Sequence, residues 1–514
     1  MNKLIKYIMA LTIVGTTLSC YKDRGNYDYK DREDISISGI EPSYTVIGYE
    51  EKLNIQPQVS SNYTGADFEY FWGVYDGSGT VNARRNYDTI ARTKDLDYRV
   101  DLPAGEWVIT FAAKNKITGV ASIFRSNVSV VTRFTRGWYV IRDNGTNTDV
   151  DLFTTPTNLN PGVKYEGLFE MVNGRSLEGK SGSLAFFTTY RSDFTGSLQV
   201  GRTFMLWSER DMAAVDLNTF QLIRDFNTIF YETPATRKPM SINVGMNAIY
   251  MINDGQLHSI HNIASNKGYF AGAKIADDQN TPYYLSKYYL ATLLHNTLFY
   301  DELNSTFYSA TGNGSTLVKT TSAGASKMPN ANINKTLRYL GHKSYSAAMV
   351  GWAFLQDKTD PNLRILAQIS APNSNALTIT PDTLLSTSNL YHAEKMTLLN
   401  GDENLIYFSR GNQVWSRNLS NKNEVLQFTV PAGETISFIR HRKFTGSAAA
   451  ETNYYHNAVV VGTQVGNMYR IRVFNKVSGN ISGNPITILE GNGFATDVMY
   501  MSPAVVGSTY QPTY

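Results

Sequence analysis

One cysteine, Cys20, stands in a chain of 514 residues. Neither an internal disulfide framework nor a cysteine-built metal cage is available to it. Charge of one sign is lacking as well: 47 Lys and Arg face 44 Asp and Glu, a balance of +3. That excludes the strongly basic footprint of a nucleic-acid binder. Beyond Cys20 no apolar run approaches the roughly 20 residues of a membrane-spanning helix. No long stretch carries the 3.6-residue period of an amphipathic helix. Three motifs of catalysis and phosphate binding are missing: the Gly-x-Ser-x-Gly elbow, His-Glu-x-x-His, and Gly-x-x-x-x-Gly-Lys. What is present is 42% hydrophobic and 18% charged, a globular rather than a disordered composition.

The N-terminus reads as an address. Lys3 and Lys6 precede an apolar run from Tyr7 to Leu18, and Thr17-Leu18-Ser19-Cys20 closes it. A basic start, a short apolar stretch and small residues at its end describe a secretory signal. The lone cysteine falls at the cleavage point, where bacterial lipoproteins carry their acyl chains. Residues 1–19 are therefore expected to be removed and Cys20 to be lipidated, holding the chain to a membrane. Residues 20–33, Cys-Tyr-Lys-Asp-Arg-Gly-Asn-Tyr-Asp-Tyr-Lys-Asp-Arg-Glu, are polar and aperiodic and read as a tether.

Residues 34–134 read as a small β-sandwich. Ile35-Ser36-Ile37-Ser38, Lys52-Leu53-Asn54-Ile55 and Leu96-Asp97-Tyr98-Arg99 alternate apolar and polar, and Phe68-Glu69-Tyr70-Phe71-Trp72-Gly73-Val74 puts Phe68, Tyr70, Trp72 and Val74 on one face. Trp107–Phe111 and Val128–Val131 add two strands, and Gly, Pro and Asn lie between the runs. Trp72 is read as core. Leu102-Pro103-Ala104-Gly105-Glu106-Trp107 places a turn before a late strand. This stretch resembles PKD-type immunoglobulin-like domains. It departs from them in lacking the usual Gly-Asp-Gly turn, near which Tyr75-Asp76-Gly77-Ser78-Gly79 stands.

Together, the Cys20-Tyr21-Lys22-Asp23-Arg24-Gly25-Asn26-Tyr27-Asp28-Tyr29 start and this domain resemble the PKD-like lipoproteins of Bacteroidetes. The Lys22-Asp23 pair resembles the charged signals that send such lipoproteins to the outer face of the outer membrane. The resemblance covers about the first 135 residues. It implies an outer-membrane lipoprotein facing the exterior, encoded beside nutrient importers of the SusC/SusD type.

Residues 135–514 stay β-like, with at most a turn of helix at Asp382–Ser388. A unit of two strands about a polar turn recurs. Asn247–Ile252 precedes Asp254–Ile260, Asn296–Tyr300 precedes Ser305–Ser309, and Ala347–Trp352 precedes Leu363–Leu366. Glu403–Phe408 precedes Gly411–Ser416, Asn457–Gly462 precedes Gly466–Ile471, and Thr203–Trp207 precedes Ala213–Asp216. A spacing of about 40–60 residues is that of propeller blades. Six units are visible. A seventh is expected from Gly137–Ile141 paired with Asp497–Met501, a pairing that removes two sheet edges at once. The fold predicted is all-β, an Ig/PKD-like sandwich followed by a β-propeller of seven blades, six or eight being allowed, with two ordinary sandwiches as the alternative.

Candidate chemistry is sparse. The seven His are scattered, and His258 and His261, three apart on a strand, face opposite ways. Asp143-Asn144-Gly145-Thr146-Asn147-Thr148-Asp149-Val150-Asp151 is oxygen-rich, which suits either a Ca²⁺ loop or a polar hairpin turn. No metal ligand, catalytic residue or cofactor is assigned. The carboxylate pairs Asp277-Asp278, Asp301-Glu302 and Asp402-Glu403 sit beside strand ends. Glycoside hydrolysis would need such acids across a cleft. Trp207, Trp352 and Trp415 lie at strand ends and are the candidate ligand-binding residues, since flat rings stack on sugars or peptide side chains. Asp88-Thr89-Ile90 and Asp382-Thr383-Leu384 resemble acceptors of Bacteroidetes O-glycosylation, making Thr89 and Thr383 candidates.

These readings favour a non-catalytic accessory of a SusC/SusD-type uptake system. It would bind oligosaccharide or peptide, or dock on the importer, without nucleic acid. A propeller hydrolase or lyase acting on polysaccharide or peptide is one alternative. A purely structural docking module, which would expose an apolar patch, is the other.

Overall fold

The computed structural model describes residues 33–503 and 505, apart from 78–86, 156–161, 194–195, 247, 262–265, 278–279, 292–294, 344–348, 372–374, 400, 402, 445–451 and 453. Cys20 and the expected signal and tether up to residue 32 lie outside the described residues. The chain divides into two compact units, one made of residues 1–42, 53–98 and 108–127, the other of 43–52, 99–107 and 128–514.

Among the N-terminal strands Gly105–Asn115 lies between Ala121–Val131 and Phe68–Asp76, with Asp88–Ala91 beyond. Ile35–Ser38 pairs with Gln58–Ser61, and Lys52–Ile55 with Leu96–Arg99. The alternation read in these segments is the burial alternation seen: Leu53, Ile55, Leu96 and Val74 are buried. Trp72 is 0% exposed. Its indole N–H donates to the carbonyls of Thr93 and Lys94 at 3.1 and 3.2 Å, and its ring lies 4.5 Å from Phe111. Trp72 is core.

In the second unit seven sheets follow one another. The second has the order Ser181–Ser192, Gln199–Ser208, Met212–Asp216, Leu222–Asp225. The third is Pro239–Gly245, Ala248–Asn253, Gln256–His261, and the fourth Leu285–Leu290, Thr297–Asp301, Thr306–Ala310, Val318–Lys319. The fifth is Lys335–His342, Met349–Asp357, Arg364–Ala371, Ala376–Thr383, and the sixth Met396–Leu398, Leu405–Arg410, Gln413–Asn418, Glu424–Thr429. The seventh begins Thr435–Phe444, His456–Val465, Met468–Val477, and Thr487–Asn492 pairs with the last of these. The first sheet is composite. Phe494–Met501 pairs antiparallel with Gly137–Asp143, which pairs with Asn147–Thr154.

The first-named strand of each sheet, together with Phe494–Met501 of the first, touches its counterpart in the next sheet, and the seventh touches Phe494–Met501. The contacts close a ring, so the second unit is a seven-bladed β-propeller. The expected pairing of chain ends is realised from Gly137↔Met501 to Ile141↔Asp497. The two-strand units legible in the sequence are the middle strands of their blades, except that in the third blade Gln256–His261 is the last described strand. Those strands are buried on both faces; every residue of Ala248–Asn253 and Thr297–Asp301 is buried.

Hydrophobic clusters lie between blades rather than within them. One gathers Leu290, Leu298, Tyr300 and Phe307 with Leu337, Ala353 and Ile369. Another gathers Tyr407 and Val414 with Ile439, Val459 and Phe474. Tyrosines sew the same seams. Tyr250 donates from the third blade to the carbonyl of Ala310 in the fourth at 2.7 Å, and Tyr300 from the fourth to Lys335 of the fifth at 2.6 Å. Tyr469 donates from the seventh to Asp151 of the first at 2.7 Å. A buried phenol can fill apolar space and still satisfy its hydroxyl, which accounts for many of the 33 Tyr.

The only α-helix among the described residues is Leu168–Asn173, not the turn expected at Asp382–Ser388. Asp382 and Thr383 end a strand, and a single 3-10 turn falls at Leu390–His392. Six residues are too few to show a period. Tertiary contacts hold this helix instead: Leu168 and Phe169 are buried, and the Asp149 carboxylate accepts the N–H groups of Phe169 and Glu170 at 2.9 and 3.1 Å.

Ring closure is pinned by buried charge. Asp497, on the closing strand, accepts from Arg440 Nε at 3.0 Å and Arg442 Nη2 at 2.8 Å, both on the seventh blade. It also accepts from Ser183 of the second blade. Burial alone would raise this carboxyl; the two guanidiniums outweigh it and hold it below its ordinary range. Removing one partner of a buried pair costs about 3–5 kcal/mol. Asp497→Asn is therefore expected to lower unfolding stability by that order, read from the urea midpoint. In the same blade Glu434 accepts from Arg472 at 2.7 and 2.8 Å and from Arg470 at 2.6 Å. Its bond to Arg472, with help from Thr463 and against burial, lowers it to about 2. An unfolded glutamate takes its proton near pH ~4.3, so the unfolded chain binds more protons as the pH falls from about 5 to about 2. Stability present above that window is lost within it. Glu434→Gln is expected to flatten that part of the stability–pH curve in melts.

Candidate functional site

The innermost strands surround a cavity of about 660 Å³, within the range of roughly 300–1,000 Å³ usual for small-ligand sites. All seven blades reach its wall. Ala495 and Thr496 come from the closing strand, Ser181, Gly182 and Ser183 from the second blade, and Pro239 and Met240 from the third. Lys287 and Tyr288 come from the fourth, Arg338 and Tyr339 from the fifth, Lys395 and Met396 from the sixth, and Ser437, Phe438 and Arg440 from the seventh. Trp207, Ser208, Glu209 and Arg210 add the end of the second blade's next strand and its turn, and Arg237 and Lys238 lead into the third blade.

The charge of this wall is not that of the chain. Arg210, Arg237, Lys238, Lys287, Arg338, Lys395 and Arg440 face only two acids, Glu209 and Glu394. Some of the cations are engaged. Lys238 pairs with Asp254 at 3.2 Å and meets the Tyr284 hydroxyl at 2.8 Å. Arg237 bonds Asn227 and lies over Phe226, and Arg440 holds Asp497. Burial first, then Arg440 and Lys395, pushes the Lys287 ammonium below its ordinary range. Its ammonium nitrogen stands 5.4 Å from the Tyr288 ring centre. Tyr288 is a partly buried ring of the wall, packed edge-on to buried Tyr339 at 5.7 Å.

Of the three candidate tryptophans, Trp207 lines the cavity, although its side chain is largely sunk in the core between the second and third blades. Trp352 and Trp415 do not line it. Both pack half-buried against the cluster between the fifth and sixth blades, and Trp415 donates to Gln413 at 3.2 Å. Thr89 and Thr383 are exposed on strands of the sandwich and of the fifth blade.

The oxygen-rich segment is a hairpin whose acids serve the backbone. Asp143 accepts from Gly145 N–H at 2.9 Å and Ser181 N–H at 2.9 Å, Asp149 caps the short helix, and Asp151 accepts from Arg142 at 3.1 Å and Gly167 N–H at 2.9 Å. His258 is buried with Nδ1 3.0 Å from the Ala271 carbonyl, while His261 is partly exposed. Asp301 accepts from Tyr284 N–H at 2.8 Å, and burial pushes Glu302 up to about 7. Neither lines the cavity. Asp278 and Asp402 lie outside the described residues. Among the described residues no three His, Cys, Asp or Glu gather as metal ligands, and no helix is long and apolar enough to cross a membrane.

Sequence reasoning missed the cationic wall. The signal was there in register: Lys287-Tyr288, Arg338-Tyr339 and Lys395-Met396 each set a cation before a bulky residue, within an innermost strand or, for Lys395, just ahead of one.

Residues 20–181 match the PKD-like family model. The match covers the sandwich and runs into the first strands of the propeller. Comparison with curated proteins finds no match. Among solved structures, a quinonprotein alcohol dehydrogenase-like protein from Bacteroides thetaiotaomicron is similar at 12% identity, over 92% of this chain and 99% of that one, with a TM-score of 0.35. Apo AztD from Citrobacter koseri is similar at 12% identity, over 83% and 99%, with a TM-score of 0.31. A DUF4784 family protein from Bacteroides caccae is similar at 8%, over 89% and 99%, with a TM-score of 0.25. The blade count stands on the strand pairing alone.

Gly182 packs directly on Trp207. A Cβ there would stand 2.5 Å from the indole Cδ1 and 2.9 Å from the Trp207 carbonyl oxygen. Gly182→Ala is expected to shift the indole and lower the melting temperature, an overpacking cost of about 1–3 kcal/mol. Tryptophan fluorescence and thermal melts read both effects.

Proposed function

We propose that this chain is a surface-exposed outer-membrane lipoprotein, anchored through Cys20. In this reading it is a non-catalytic binding or docking accessory of a SusC/SusD-type uptake system, taking oligosaccharide or peptide in the propeller cavity. The cavity carries the reading: a ligand-sized space walled by all seven blades and lined by polar and aromatic side chains. The anchor and the importer context rest on the N-terminal sequence and on the resemblance it carries.

The hydrolase alternative has one observation in its favour, the presence of Glu209 and Glu394 on the same wall. New reducing ends or peptide termini released from a bound ligand would replace the first reading with that one.

Two experiments test the proposal. Cells fed a labelled fatty acid should label the native protein in the outer-membrane fraction, and Cys20→Ala should lose the label; a labelled variant would remove the anchor. Affinity purification of the native protein from mildly solubilised membranes should bring an importer with it, and its absence after chemical cross-linking would sink the uptake role.

A further inference from the structure

We propose that the propeller cavity selects an acidic oligosaccharide, whose carboxylate or sulfate groups sit on Lys287, Arg338, Lys395 and Arg440. The inference rests on the binding role proposed above and names its ligand class.

The four cations stand on consecutive blades, the fourth to the seventh, on the innermost strands or, for Lys395, one residue before one. They form an arc rather than scattered charges. Arg338 and Lys395 are exposed, and no carboxylate among the described residues lies within 4.0 Å of either. Arg440 holds Asp497 together with Arg442. The crowding is felt at Lys287, whose ammonium is disfavoured by burial and by its cationic neighbours. An anion placed among these groups would relieve that repulsion and bond to them at once.

The rest of the wall favours a sugar over a peptide. Across the axis the first and second blades add Thr496, Ser181 and Ser183, whose hydroxyls are bonded within the wall: Thr496 donates to Ser181 at 3.0 Å, Ser181 to Asp143 at 2.7 Å, and Ser183 to Asp497. The partly exposed Tyr288 ring offers a stacking surface for a sugar. A peptide held by strand addition needs a continuous run of one strand's edge. Here each innermost strand supplies only one to three residues. The wall is a circle of single points around a compact ligand.

The test is calorimetric titration of the full mature chain with four probes: tetragalacturonate, a chondroitin sulfate tetrasaccharide, neutral maltotetraose and tetraglutamate. One or both acidic saccharides should bind, more weakly as salt rises. Arg338→Ala and Lys395→Ala should each weaken that binding at least about tenfold. Both side chains are exposed, so unchanged melting temperatures should show that the variants fold. Binding of maltotetraose as tight as that of the acidic saccharides would overturn the selectivity and leave the binding role standing. Binding of tetraglutamate alone would overturn the saccharide class in favour of an acidic peptide. Acidic-saccharide binding unmoved in the double variant would overturn the site. Silence across all four probes would overturn this inference, and the accessory role would then rest on importer docking, read by the cross-linking experiment.

Discussion

The propeller depends on one pairing, that of Phe494–Met501 with Gly137–Asp143. Blades of this kind bury their middle strands only because each has a neighbour on both sides, and a ring with a gap leaves two blades with an open face. Antiparallel hydrogen bonding across the chain ends closes that gap and removes two edges. Asp497 adds a charge lock at the same place, reaching the seventh blade through Arg440 and Arg442 and the second through Ser183. Such a cluster is poor at adding stability, because desolvating three charges offsets most of what their attraction returns. Its effect is on register. A slip of one residue along the closing strand would turn Asp497 to the other face and strand two buried arginines.

The fold was largely legible because the ring imposes one strong pattern on its middle strands. Burial on both faces makes Ala248–Asn253 or Leu405–Arg410 a near-continuous apolar run, and such runs stand out. The inner and outer strands hide. Met396–Leu398 is three residues long, and Glu424–Thr429 is largely exposed and mixed in character. The short helix hides for a further reason. Its stability comes from an aspartate about twenty residues away, in the hairpin whose oxygens also suggested a cation loop. Local composition could not say whether those oxygens turn toward an ion or toward backbone N–H groups, and the structure turns them toward the backbone.

The site was less legible, and charge shows why. A balance of +3 over the whole chain describes the outer surface and the seams as much as the axis. Many cations are neutralised in pairs such as Lys335 with Asp357 or Arg417 with Glu424. Lysine and arginine at the axis look no different in sequence from those on a solvated strand face, since both occupy the polar phase of an alternating run. Only the circular arrangement brings Lys287, Arg338, Lys395 and Arg440 to one wall. Tryptophan suits sugar contact, yet Trp352 and Trp415 pack half-buried between the fifth and sixth blades, away from the cavity wall.

The composite first blade has a bearing on biosynthesis. Ser181 and Thr496 touch at the rim of the same cavity, though more than three hundred positions separate them along the polymer. A chain stopped before residue 496 leaves that rim unmade and the cavity wall incomplete. The cavity is in that sense a certificate of completion: it is whole only once the closing strand has been translated and docked.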